Sequence, residues 1–164
     1  MKNIIAVTIC LVMATMSLPA VALSEAQKVA IVERCDVIKD DLRSLQRSDS
    51  KARVYLGRYY EVILTKFITP LNIRLVENNL LSTGFINNQN DFNKARTNFV
   101  IDYVEYQKGL EDLVSVDCKN EPEGFYERLG AVREKRAVVA GDVAKLRKLA
   151  GTQLELVQAL RSKI

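Results

Sequence analysis

The chain has 164 residues, with 24 Lys and Arg against 20 Asp and Glu for a net charge of +4, and it contains neither histidine nor tryptophan. That length suits one ordinary domain, and the interleaving of the two charge signs excludes the like-charged blocks expected of a nucleic-acid binder. Lack of histidine excludes Ser-His-Asp and Cys-His catalysis, HExxH zinc sites and ExxH di-iron sites.

Residues 1–22 read as a secretory leader. Lys2 supplies the positive start, Ile4 to Leu18 is apolar, and Ala20-Val21-Ala22 is an A-x-A cleavage site whose small side chains suit a signal peptidase. The rival is an uncleaved anchor, because Ile4 to Leu23 spans 20 residues, about the minimum for a bilayer core. Cleavage is favoured, and retention would give the only membrane contact. Cys10 does not suit lipidation, since the bulky Ile9 precedes it. Loss of the leader leaves one domain, residues 23–164, with a net charge of +3 once Lys2 is gone. Its compartment would be the periplasm, the cell surface or the medium, where thiol pairs tend to be oxidised. Cys35 and Cys118 are then the two remaining cysteines.

Ser24 opens the mature chain as the cap of a capping box, with Gln27 reaching back. Ile31, Cys35, Ile38, Leu42 and Leu45 follow at spacings of 4, 3, 4 and 3, the a/d pattern of helices packed side by side. The rhythm continues through Asp49, Ala52, Leu56, Tyr59 and Ile63, which predicts one helix from about Ser24 to Ile68 in preference to a break at Ser48-Asp49-Ser50. Thr69-Pro70 predicts a stop and a new short helix, Pro70 to Thr83, ending at Gly84, with Ile86 to Asp91 as a loop. Phe92, Ala95, Phe99, Tyr103, Tyr106, Leu110 and Leu113 mark the next helix, ending near Cys118. Asn120 and Glu123 form a cap-like pair around Pro122. The last helix keeps its heptad from Phe125 to Ile164, with Arg136 and Gln153 as its only polar seam members and Gly130, Gly141 and Gly151 off the seam. The fold expected is all-α: an elongated antiparallel bundle of three long helices plus one short helix, with coiled-coil-like heptads.

Helix lengths test whether the cysteines can meet. With reversal near Pro70, Cys35 lies 32 residues before Phe67 and Cys118 lies 26 beyond Phe92, a mismatch of roughly 9 Å of helical rise. The short helix can absorb that by crossing the bundle end. A first helix running unbroken to Thr83 would instead leave about 33 Å, against the roughly 7 Å between Cα atoms that a disulfide tolerates. A Cys35–Cys118 bond and a turn near Pro70 therefore support each other; two buried free thiols are the alternative.

No CxxC, phosphate loop or calcium loop is present. The helical acid pairs Asp36/Asp40 and Asp102/Glu105 stand among basic residues and read as solvated faces, not a catalytic dyad. No enzyme activity, cofactor or metal is expected. The aromatic stretch Val54 to Phe67 places Leu56, Tyr59, Ile63 and Phe67 on one buried stripe, with Tyr55, Arg58 and Tyr60 toward its flanks; these read first as core with partly covered edges, and alternatively as an interaction surface for a protein partner or a second copy.

The segments "RVYLGRYYEVILTKFITPLNIRLVENNL" (53–80) and "VDCKNEPEGFYERL" (116–129) resemble a group of uncharacterised, exported helical proteins of bacteria. The likeness runs through most of the mature chain and implies export and helices, with no functional residue to carry over. In size, leader, basic balance and long helices the chain is also loosely similar to periplasmic chaperones of the Skp type, although those add a β-body for which no strand pattern occurs here. The resulting expectation is a non-enzymatic exported protein that acts through helix surfaces, with a holdase for exported clients as the alternative.

Overall fold

Ser24 caps the first helix as its sequence predicts: its Oγ accepts from the Gln27 amide at 3.3 Å, and Gln27 Oε1 accepts from the Ser24 amide at 2.9 Å. The computed structural model describes residues 23–80 and 82–162. The leader and Ile164 lie outside the described residues. The elements are α1 (Glu25–Glu33), α2 (Cys35–Val62), a π-helical segment (Ile63–Ile68), α3 (Thr69–Glu77), α4 (Thr83–Ser115) and α5 (Pro122–Arg161). Among the described residues there is no strand, and no helix is long and apolar enough to cross a membrane.

The first arm is helical from Glu25 to Glu77 apart from a local distortion at Arg34 (φ −104°, ψ 11°), and it has no break at Ser48-Asp49-Ser50. The predicted stop at Pro70 is corrected. Proline lacks a donor and its ring strikes the carbonyl four residues back. Here the turn before it widens, with Thr69 N–H donating to Leu64 O five residues back, and the backbone stays helical through Pro70. α3 therefore extends the first arm instead of crossing the bundle end. The wide turn also moves the seam. Leu56, Tyr60, Leu64 and Ile68, spaced every four residues, face the core, whereas Tyr59 and Phe67 are exposed.

The chain reverses at Asn78–Ser82, not at Pro70. Leu80 N–H donates to Leu75 O at 2.8 Å and Asn79 N–H to Val76 O at 3.0 Å, with Asn79 left-handed at φ 56°. This pair of bonds is a Schellman close, for which asparagine is the usual substitute for glycine. Gly84, predicted as that cap, lies instead in the first turn of α4, where a Cβ would come within 3.0 Å of Leu156. Its bare backbone lets α4 and α5 approach. The predicted loop Ile86–Asp91 is also corrected: it belongs to α4, and the Asn88 and Gln89 side chains bond across the bundle instead of to their own backbone.

These two corrections nearly cancel. Cys35 lies 42 residues before Glu77 and Cys118 lies 35 after Thr83, so both arms lengthen by about the same amount and the cysteines still meet. The disulfide joins them with Cα atoms 5.7 Å apart, fully within the buried core.

Pairs between arms set the topology. Tyr106–Asp49, Arg96–Glu61 and Asn72–Phe85 run in opposite senses along α2–α3 and α4, so these are antiparallel. Gln153–Asn88 and Lys135–Glu105 show the same for α4 and α5. Asp49–Arg136 and Tyr60–Val143 place α2 and α5 parallel on either side of α4. The α4 seam is buried at every predicted position, and Phe85 and Asn88 extend it. The core has two parts. One surrounds the disulfide with Leu42, Tyr106, Leu110, Leu113 and Phe125; the other packs Tyr60, Ile68, Phe92, Phe99 and Leu146 near the π segment.

Candidate functional site

The predicted interaction surface divides. Tyr60 is 1% exposed, meets Phe92 and Phe99 edge-on at 6.1 and 6.4 Å, and donates to Val143 O at 3.4 Å. It is core, and burial pushes its phenol pKa up. Tyr55 is 70% exposed and Arg58 is exposed beside it. Tyr59, predicted as core, joins them: the Tyr55 and Tyr59 rings lie parallel within 8°, with centroids 6.4 Å apart.

The face continues past the π segment. Tyr59, Phe67 and Leu154 edge a groove with Ile63, Pro70 and Leu71, and Lys66 and Arg74 stand at its rim. Phe67 is 64% exposed. The π turn is the local cause, because a repeat of four puts Ile68 inward and leaves Phe67 outward. The sequence signal for it was Pro70 inside a helical pattern, which kinks or widens a helix as readily as it ends one.

The polar seam residues find one another. Asp49 of α2 accepts from Arg136 Nε at 2.8 Å and Nη2 at 3.2 Å, and from the Tyr106 hydroxyl at 2.8 Å, so all three arms meet at one carboxylate. Desolvation pulls the Asp49 pKa up, but the hydrogen bonds from Arg136 and Tyr106 and the guanidinium charge outweigh it and the net shift is down. Burial and the Asp49 carboxylate push the Tyr106 phenol well above its usual range. Farther up, Asn88 Nδ2 donates to Gln153 Oε1 at 2.8 Å and to Leu149 O at 3.2 Å. The seam pattern marked Asp49, Arg136 and Gln153 as polar interruptions but carried no sign of their partners.

The acid pairs separate. Asp36 accepts from Lys119 at 2.7 Å and Asp40 from Arg43 at 2.8 Å. Asp102 meets Asp142 of α5 instead of pairing with Glu105. Burial, then the neighbouring Asp102 carboxylate, push Asp142 up to about 6, against a smaller opposing pull from Lys145. At the last turn the Asn120–Glu123 cap is corrected. Asp117 accepts from the Lys119 and Asn120 amides at 3.0 and 3.3 Å and from Asn120 Nδ2 at 2.7 Å, and these bonds lower its pKa.

Among the described residues no group of three or more His, Cys, Asp or Glu is placed to hold a metal ion. No protein-family model, curated protein or solved structure matches the chain.

Proposed function

We propose that the chain is an exported, non-enzymatic protein that acts by presenting a helix surface to a protein partner outside the cytoplasm. The observation that carries this is the exposed aromatic face of α2 and the π segment, where Tyr55, beside Arg58, stacks on Tyr59, and Tyr59 and Phe67 edge a groove with Leu154 rimmed by Lys66 and Arg74. Aromatic side chains ringed by arginine are enriched at the centres of interfaces. The basic rim favours a partner whose apolar segment is edged with acidic residues. Export is supported by the leader pattern and by a buried disulfide, which persists in oxidising compartments.

Crosslinking in intact cells followed by mass spectrometry tests the reading. One dominant partner captured by the natural chain and lost with Tyr55→Ala/Phe67→Ala, both folded, supports it; capture unchanged by that pair refutes the assigned face. The same experiment yields the mature N-terminus, expected at Leu23. A holdase is the second reading, favoured by apolar side chains exposed on all three arms, among them Val54, Ile101 and Val138. A broad client spectrum, with suppression of a client's aggregation at equimolar ratio, supports it over the first.

A further inference from the structure

α2 and α5 both pack on α4 but stand apart from each other between the Asp49–Arg136 pair and the Tyr60–Val143 bond, leaving a trough of about 430 Å³ whose floor is Phe99, Tyr103 and Tyr106. That volume falls within the roughly 300–1,000 Å³ of ligand pockets. Small side chains open it: Ala52 on one wall, Ala137 and Ala140 on the other.

The trough has two chemically distinct ends. α2 and α5 run one way and α4 the other, so Arg133 and the Asp49–Arg136 pair stand at the end toward the disulfide, with Arg53 and Tyr103 about one helical turn above Asp49. Leu56, Phe99, Ala140 and Val143 line the end toward the π segment. At the polar end the charges do not balance. Asp49 is taken up by Arg136 and Tyr106. Arg53 lies over the Tyr103 ring at 5.5 Å, and among the described residues neither Arg53 nor Arg133 forms an ion pair. Two guanidinium groups on opposite walls thus head an apolar channel floored by aromatic rings.

We propose that this trough binds an amphipathic carboxylate, its anionic head between Arg53 and Arg133 and its aliphatic tail along Leu56, Phe99 and Val143. A guanidinium fork suits a carboxylate, and Arg53, half-buried over the Tyr103 ring, gains more from one than a fully exposed arginine would, with the exposed Arg133 adding a second positive charge. The tail replaces water against Phe99 and the small-residue walls. This site is independent of the aromatic face and stands whether or not that face binds a protein.

The probe is decanoate at a concentration below its micelle threshold, compared with decanol by calorimetric titration of the full mature chain. Saturable binding of one decanoate is expected, about tenfold tighter than decanol, as one good charge-assisted contact supplies. Arg53→Gln/Arg133→Gln should bring decanoate down to the decanol level. Ala140→Leu should block both, while circular dichroism confirms the fold; Ala137→Leu on the same wall serves where Ala140→Leu does not fold. No saturable binding, equal affinity for acid and alcohol, or binding that survives the wall substitution overturns the proposal. A wild-type oligomer that Ala140→Leu converts to monomer also overturns it, in favour of a second copy covering the trough.

Discussion

Reduction of the Cys35–Cys118 bond gives the most quantitative test of how the bundle is held. The bond closes a loop across 83 positions. In the chain-entropy treatment, a loop of that size restricts the unfolded chain by about 4.5 kcal/mol. The native state should change little on reduction, because both sulfurs lie in the core with Leu42, Leu113 and Phe125 around them, and a thiol pair occupies nearly the same space. Urea unfolding of the oxidised and reduced protein at equal pH should therefore differ by about 4 kcal/mol, or roughly 10–15 °C in Tm for a domain of this size. The m-value should rise on reduction, since the unfolded chain loses its tether and exposes more surface. Cys35→Ala/Cys118→Ala should match the reduced protein to within about 1–2 kcal/mol, the added cost of the lost sulfur volume. A difference under about 1 kcal/mol with an unchanged m-value would refute the account, and would mean that the unfolded ensemble keeps these ends together without the bond.

Three other perturbations probe the polar contacts and the core. Asp142→Asn should stabilise the protein at pH 7 by about 1 kcal/mol once solvent screening is discounted. Its carboxyl, held at about 6 in the folded state against 3.8 ordinarily, loses stability for the chain as pH rises through 6, so the gap should close on acidification toward pH 4. Asp49→Ala should cost about 1–3 kcal/mol by orphaning the Tyr106 hydroxyl and Arg136. A double-mutant cycle with Arg136→Ala that shows no coupling would contradict the bidentate pair. Because the folded pKa of Asp49 is lowered, its contribution should be present at neutral pH and lost as pH falls below about 4. Tyr60→Ala should destabilise by about 3–5 kcal/mol while Tyr55→Ala stays within about 0.5, measured by the same unfolding curves.

The reading of the helices from sequence succeeded where burial has a period. Every predicted seam residue of the third-quarter helix, Phe92 to Leu113, is buried, because α4 lies between the other two arms and its whole inner stripe is covered. α5 packs closely on α4 and meets α2 mainly through Asp49–Arg136 and Tyr60–Val143, so it buries Phe125, Val132, Leu146 and Gln153 and leaves Arg136 exposed. Local helix-breaking residues mislead at both ends of the reversal. Pro70 and the run Asn87-Asn88-Gln89-Asn90 are locally strong helix breakers, but a π turn absorbs the first and cross-bundle bonds occupy Asn88 and Gln89 in the second. The exposed side of the candidate face was half legible: Tyr55 and Arg58 stand where their spacing puts them, while Tyr59 and Tyr60 exchange places because the seam repeat lengthens to four ahead of the π segment.

By itself the sequence determined the fold class, the three-arm count and the cysteine pairing, since each follows from apolar periodicity and chain length, which a local error on both arms leaves unchanged. Only the tertiary structure decided where the chain turns, which tyrosine is core, and that Asp49, Tyr106 and Arg136 share one carboxylate. It also opened the trough between α2 and α5. Those outcomes depend on the rotation of one helix against another, and a shift of a single residue turns a side chain by about 100° around the helix axis.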